Sequence, residues 1–165
     1  QDLGINSPIE DGATFYENAL IKAKHAATIS GYPAIADDSG LCVDSLNGAP
    51  GIKSARYAGE NSSDADNNLK LLKSLENETQ RNAAFVACLV FFEPNSNESP
   101  LSAEGRLEGE IAGDSKGKDG FGYDPIFYIS EESKTLAELG KDYKNKNSHR
   151  AKATKILLNK LLKEK

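Results

Sequence analysis

Two adjacent aspartates, Asp37 and Asp38, follow the apolar run Pro33-Ala34-Ile35-Ala36 and precede Ser39-Gly40. The run reads as a buried strand, with Ser-Gly as the turn that ends it. Neighbouring strand residues point to opposite faces, so one aspartate can face a cleft while the other braces the backbone or a second element. A carboxylate at the end of a buried strand is a common place to hold a hard cation such as Mg2+. A solvated strand-to-turn junction would use the same residue types. Glu10 and Glu17 lie upstream, in and beside one helix. If that helix packs beside the strand, two or more of these four acids can share a Mg2+ with substrate phosphate oxygens. The competing role for Glu17 is a helix cap, and for Glu10 a solvated loop.

Cations stand on the same helix and near the C-terminus. Lys22 follows Glu17, and Lys144 and Lys146 precede Ser148-His149-Arg150. A lone helical lysine is usually just solvated. His149 and Arg150 differ because they fall in the first turn of a helix, where the dipole disfavours cations. A negative or electron-rich neighbour would relieve this, so the pair fits a site for a phosphate or a base carbonyl. In Gly120-Phe121-Gly122-Tyr123-Asp124-Pro125 an aromatic ring is flanked by glycines. Such a ring can serve as a stacking platform for a base or as a hydrophobic plug under a loop.

The elements that must position these residues follow from pattern. Thr14 and Glu17 form a capping box for a helix over Phe15 to about Ser30, with Phe15, Ala19, Ala23 and Ala26-Ala27 as a thin apolar stripe and Gly31 as its stop. Leu41–Leu46 reads as a second strand or a helix start, Asn47–Gly51 as a turn, and Ser54–Gly59 as a loop carrying Arg56. Ser63 caps a helix running through Leu75, with Leu69, Leu71, Leu72 and Leu75 as its apolar set. Ala83–Phe92 is the strongest strand signal and should lie centrally in a sheet. Glu93–Pro100 then reads as a polar hairpin loop, and Leu101–Ala112 as one or two antiparallel strands, giving a meander. Gly113–Gly122 carries neither a Walker loop nor a dinucleotide fingerprint. A strand after Phe127, a short helical turn at Thr135–Leu139 and a final helix capped by Ser148 complete the chain, the last with Ala153, Leu157, Leu158, Leu161 and Leu162 on one face.

Composition bounds the class. The 165 residues suit one domain with a core, and 38% hydrophobic with 27% charged residues is a globular balance. A net charge of −5 disfavours nucleic acid polymers, whose binding rests on phosphate neutralisation, yet leaves room for a single nucleotide in a local basic pocket. No apolar run has membrane-spanning length, and no signal peptide is visible. Cys42 and Cys88 sit in apolar runs and read as buried free thiols of a reducing cytoplasm. The sequence begins at Gln1 and contains no methionine, which suggests a fragment or a trimmed chain.

Five stretches in order carry a resemblance: Thr14-Phe15-x-Glu17-Asn18-Ala19; Ala36-Asp37-Asp38-Ser39-Gly40-Leu41; Gly48-Ala49-Pro50-Gly51 with Ser54-Ala55-Arg56-Tyr57; Gly120–Phe127; and Ser148-His149-Arg150. Together they resemble the Ham1/RdgB/inosine triphosphate pyrophosphatase family. The resemblance implies an α/β fold, elongated and two-lobed across residues 1–165, with a long mixed sheet flanked by helices and a nucleotide cleft between the lobes. It implies a cytoplasmic homodimer and Mg2+-dependent hydrolysis of ITP, dITP and XTP to the monophosphate and pyrophosphate. By position, Asp38 matches the general base, Glu10 and Asp38 the metal-associated acids with Glu17 and Asp37 close by, and Ser39 a substrate contact. Lys22 and Lys144 match phosphate-side cations, and Phe121, Gly122, Tyr123, Asp124, His149 and Arg150 match the base-recognition elements.

The chemistry agrees with these residue types. A carboxylate beside a cation can take a proton from a water placed in line with the α-phosphorus, while Mg2+ and lysines offset charge on the leaving pyrophosphate. Arg150 can donate to a purine 6-keto oxygen; adenine presents an amino donor there and leaves the guanidinium unpaired. Guanine shares the keto group, so its exclusion must involve position 2. The family opens with a strand and a Ser/Thr-Gly-Asn-x-x-Lys loop for the triphosphate, which no stretch here matches. About thirty residues are then expected to be missing, and this chain alone is expected to hydrolyse ITP poorly. Two other readings remain: a non-catalytic nucleotide-binding or dimerisation module, and a Mg2+-dependent phosphomonoesterase with an aspartyl nucleophile at Asp37-Asp38.

Overall fold

The computed structural model describes residues 4–163. Helix α1 spans Phe15–Ser30 and starts as its sequence dictates: Thr14 accepts from the Glu17 N–H, and Glu17 reaches back to the cap. Gly31, in the left-handed region at φ 73°, ends it. The small side chains of Ala19, Ala23 and Ala27 are fully buried, so the helix lies close on the sheet.

Strand β1 runs without a break over Ala34–Val43. This corrects the expectation of a turn at Ser39-Gly40 and of a separate element from Leu41. The reason is tertiary. Strand β2, Asn82–Phe92, is almost wholly buried and needs a partner on each edge, and β1 pairs with it antiparallel from Ala34↔Phe92 to Val43↔Ala83. Gly40 serves close approach, not a turn: a Cβ there would collide with the Gly51 carbonyl oxygen and Ser54 Oγ. Beyond β1 come short 3-10 turns at Asp44–Leu46 and Gly51–Arg56, the second replacing the expected loop.

Strand β3, Leu101–Ile111, is one strand pairing antiparallel with β2. Strands β4, Phe127–Ile129, and β5, Lys134–Thr135, complete a five-stranded sheet in the order β1-β2-β3-β4-β5. Its pairings are antiparallel throughout, so the mixed sheet implied by the resemblance has no parallel pair among the described residues. Helix α2, Asp64–Ser74, is capped by Ser63; it buries Leu71, with Leu75 buried just past its end, but leaves Leu69 at the surface. The expected short turn at Thr135 is the start of α3, Leu136–Asn147, which kinks at Gly140. Ser148 breaks the path, and α4, His149–Lys163, follows. α4 buries Ala153 and Leu157 while Leu158 and Leu162 stay exposed, because only a narrow stripe docks.

The core divides along the sheet. At one end, α1 packs on Cys88 and Val90 on one face, and α4 packs on Ala87, Leu89 and Ala103 on the other. At the other end, Leu41, Phe85, Leu107 and Ile111 meet Leu71, Leu75, Ile126 and Leu136. Both cysteines are unpaired, Cys88 buried and Cys42 half-buried. No helix among the described residues is long and apolar enough to cross a membrane.

Candidate active site

Alternation along β1 sorts the candidate residues onto two faces. Asp38 points toward α1, and Asp37 and Ser39 point toward α4. Between those faces lies the outer edge of β1, beyond which no strand pairs among the described residues.

On the α1 face, Lys22 Nζ lies 3.0 Å from Asp38 Oδ1 and 3.1 Å from Glu10 Oε2. Burial opposes the charge on Lys22, but the hydrogen bonds and charges of Asp38 and Glu10 hold its ammonium above the ordinary lysine value. Asn18, 2% exposed, donates to Asp38 Oδ2 at 3.2 Å and accepts the Gly12 N–H at 2.9 Å. It fixes the carboxylate and the loop carrying Glu10 at once. A Cβ at Gly12 would press on Asn18 and Glu17, so this loop closes only with glycine there.

Two of the four expected metal acids stand elsewhere. Glu17 Oε2 accepts the N–H groups of Ala13 and Thr14 at 2.6 and 3.0 Å, which makes it the helix cap. Asp37 Oδ2 takes Arg150 Nε at 2.7 Å on the opposite face, because side chains alternate across the strand. Among the described residues no group of three or more His, Cys, Asp or Glu side chains comes together as a metal site. Glu10 and Asp38, converging on one ammonium, are a donor pair of the kind that holds Mg2+ jointly with phosphate oxygens and water.

On the α4 face, Ser39 meets a cavity of about 200 Å3 that also contacts Phe121, Gly122, His149 and Arg150. The row Ser39-Ala87-Gly105 runs across three strands beneath the start of α4. A Cβ on Gly105 would strike the His149 carbonyl and the Ala153 amide, so glycine lets the helix end sit down on the sheet. Ser148 Oγ caps that end by accepting the Ala151 N–H at 3.2 Å.

His149 is 7% exposed and stacks on Phe85 with centroids 5.0 Å apart and planes 12° from parallel. Burial, then the charges of Arg150 and Lys144, pull its pKa down to about 4. The imidazole is therefore neutral at pH 7, and its buried Nδ1 has no partner among the described residues. A neutral imidazole beside the Asp37–Arg150 pair removes the conflict of two cations at a helix start.

Tyr123 and Asp124 brace the walls. The Tyr123 hydroxyl donates to the Ser54 carbonyl at 2.8 Å, and burial pushes its phenol pKa up. Ser54 Oγ in turn accepts the Leu41 N–H at 2.9 Å and donates to the Gly51 carbonyl at 2.6 Å. Asp124, 1% exposed, accepts the Phe121 N–H at 2.9 Å and pairs with Lys144. Lys144 Nζ also lies 4.2 Å from the Phe121 ring centroid, so this cation secures the ring's loop. Phe121 itself is 65% exposed, an open platform and not a plug.

Residues 1–160 match the model of the Ham1 family. The chain belongs to the Ham1 family. It is 54% identical over 162 residues to the dITP/XTP pyrophosphatase of Haemophilus influenzae, covering 97% of this chain and 83% of that protein. It is 50% identical to the dITP/XTP pyrophosphatase of Shigella flexneri over 97% of this chain and 82% of that one. Among solved structures, a HAM1 protein from Coxiella burnetii superposes with TM-score 0.92 at 46% identity, covering 98% of this chain and 83% of that one. The Staphylococcus aureus Ham1 protein does so with TM-score 0.89 at 48% identity, covering 95% and 81%. Asn18, which braces Asp38, and Ser54, which braces β1, stood in the motif stretches but were given no role there. Their signal was position: Asn18 stands one turn before Lys22 on the same helix face, and Ser54 lies just after the turn cluster.

Proposed function

We propose that this Ham1 protein hydrolyses non-standard purine nucleoside triphosphates, dITP, ITP and XTP, to the nucleoside monophosphate and pyrophosphate. The observation that carries this reading is the division across β1. A cavity holding a neutral imidazole and a guanidinium lies on one face, and a lysine-bound carboxylate pair lies on the other. The dITP/XTP pyrophosphatases with about half their residues in common support the choice of substrate. The nucleotide lies across the outer edge of β1, between the two core regions, with its base on the α4 side and its phosphates toward Lys22.

In this scheme the Arg150 guanidinium donates to the purine 6-keto oxygen while Asp37 holds its Nε. An adenine amino group there would leave a donor facing a donor. His149, neutral, lines the cavity beside the base without adding a second positive charge, and Phe121 covers the base face. A water in line with the α-phosphorus gives its proton to Asp38, and the bond to the pyrophosphate oxygen breaks as the new P–O bond forms. Asn18 fixes one Asp38 oxygen, leaving the other beside Lys22. Bound Mg2+ would offset phosphate charge, and Glu10 and Asp38 are the residues that would hold it. A homodimer and a cytoplasmic setting belong to the same proposal and rest on the family resemblance.

The test is to incubate the protein with dITP, XTP, dATP and dGTP with and without Mg2+, and to separate the products. The expected result is monophosphate and pyrophosphate from dITP and XTP, in the presence of Mg2+. Diphosphate with orthophosphate, or equal hydrolysis of dATP, would overturn it.

A further inference from the structure

Phe121 poses a mechanical problem. Its neighbours Gly120 and Gly122 have φ of 84° and 61°, a region open to glycine, and its ring is largely exposed. Neither backbone stiffness nor core packing therefore aims the ring. Asp124 and Lys144 hold its loop, and two side chains of α2 take hold of the next residue as well. The Gly122 N–H donates to Asp64 Oδ2 at 2.6 Å, and Asn68 Nδ2 donates to the Gly122 carbonyl at 3.0 Å. Both main-chain polar groups of Gly122 are thus held by residues one helical turn apart. The helix they stand on is rigid, capped by Ser63 and seated in the core through Leu71 and Leu75.

Between them on the helix, Asn67 ties the facing wall, accepting the Ala58 N–H at 2.7 Å and donating to the Ala55 carbonyl at 3.1 Å. Asn68 carries a mark of function over stability: it is 8% exposed, yet its Oδ1 has no hydrogen-bond partner among the described residues. A buried acceptor left unpaired costs stability that an apolar side chain at the same place would not.

We infer that Asp64 and Asn68 are positioning residues that aim Phe121 for stacking on the purine and so set affinity for the base without touching the phosphates. The inference deepens the pyrophosphatase reading and rests on it for the identity of the base.

Its test uses IMP and inorganic pyrophosphate as separate calorimetric probes on wild type, Asp64→Ala, Asp64→Asn and Asn68→Leu. Asp64 is exposed, so its substitution leaves the fold alone. Asp64→Ala and Asn68→Leu should each weaken IMP about tenfold, the equivalent of one lost hydrogen bond. Pyrophosphate affinity should stay at the wild-type value. Asp64→Asn keeps an acceptor for the Gly122 N–H and should restore IMP affinity. Asn68→Leu should melt at or above the wild-type temperature, which a merely structural asparagine would not allow. Unchanged IMP affinity in Asp64→Ala, or equal loss of IMP and pyrophosphate, would overturn the inference. A wild type that binds IMP but hydrolyses no triphosphate would sink the proposed reaction while leaving this comparison decisive. A wild type that does not bind IMP would overturn both.

Discussion

The two faces of β1 are built on different principles. On the α4 side most contacts are set before any ligand arrives: His149 is stacked and neutral, Asp124 holds the Phe121 N–H and Lys144, and Arg150 is already aimed by Asp37. On the α1 side one ammonium holds two carboxylates that would otherwise repel, and only Asn18 is deeply buried. A preformed cavity suits discrimination, since a wrong base leaves fixed donors unpaired. A cluster of charges around one lysine suits a step in which charge and a proton move.

The largest expected effect breaks the α1 side. Asp38→Asn keeps size but cannot take a proton, so kcat should fall by about 10²–10⁴-fold with nucleotide affinity nearly unchanged. Pyrophosphate release near the wild-type rate would remove Asp38 as the base, and full recovery of that rate at higher Mg2+ would leave it a metal ligand only. Next comes the α4 side. Arg150→Ala should weaken dITP by roughly 10–100-fold, the range for a charged hydrogen bond, with kcat changed far less. Steady-state kinetics separates the two patterns.

These two variants also mark what the sequence could and could not reveal. The α1 cap, the Gly31 stop and strand β2 were legible because each depends on residues close in the chain. The path of β1 was not. Ser39-Gly40 has turn chemistry, but a ladder along the whole of β2 outweighs it, and Gly40 answers to Gly51 and Ser54 across a loop. Asp37 and Asp38 were visible as a pair, and their split across the strand followed from alternation. That Asp37 meets Arg150, 113 residues away, did not. Asn18, Asp64 and Asn68 look like ordinary solvated helix residues until the fold brings Asp38 and Gly122 to them. Leu69, Leu158 and Leu162 joined apolar stripes on paper but stand outside the docked part of their helices.

A smaller effect concerns pH. The folded pKa of His149 is depressed to about 4 from the ordinary imidazole value of 6.5, so the unfolded chain binds a proton that the folded one refuses between those values. The contribution is fully present above 6.5 and is lost as pH falls toward about 4. Melting temperatures of wild type and His149→Gln, measured from pH 8 down to about 4, should show the wild type losing more on acidification. Parallel curves would mean that the imidazole is not held neutral. The smallest effect is a near-silent one. Glutamine serves a capping box as well as glutamate, so Glu17→Gln should keep wild-type turnover and Mg2+ requirement. A raised Mg2+ requirement would return Glu17 to the acids around the phosphates.

The division of labour across β1 is tested most directly by the ratio of kcat/KM for dITP to that for dATP, measured in wild type, Asp38→Asn and Arg150→Ala. Asp38→Asn should slow both substrates alike, so that its residual activity keeps the wild-type ratio. Arg150→Ala should bring the ratio down toward one. A ratio that collapses in Asp38→Asn, or survives in Arg150→Ala, would contradict the assignment of chemistry to one face and base choice to the other.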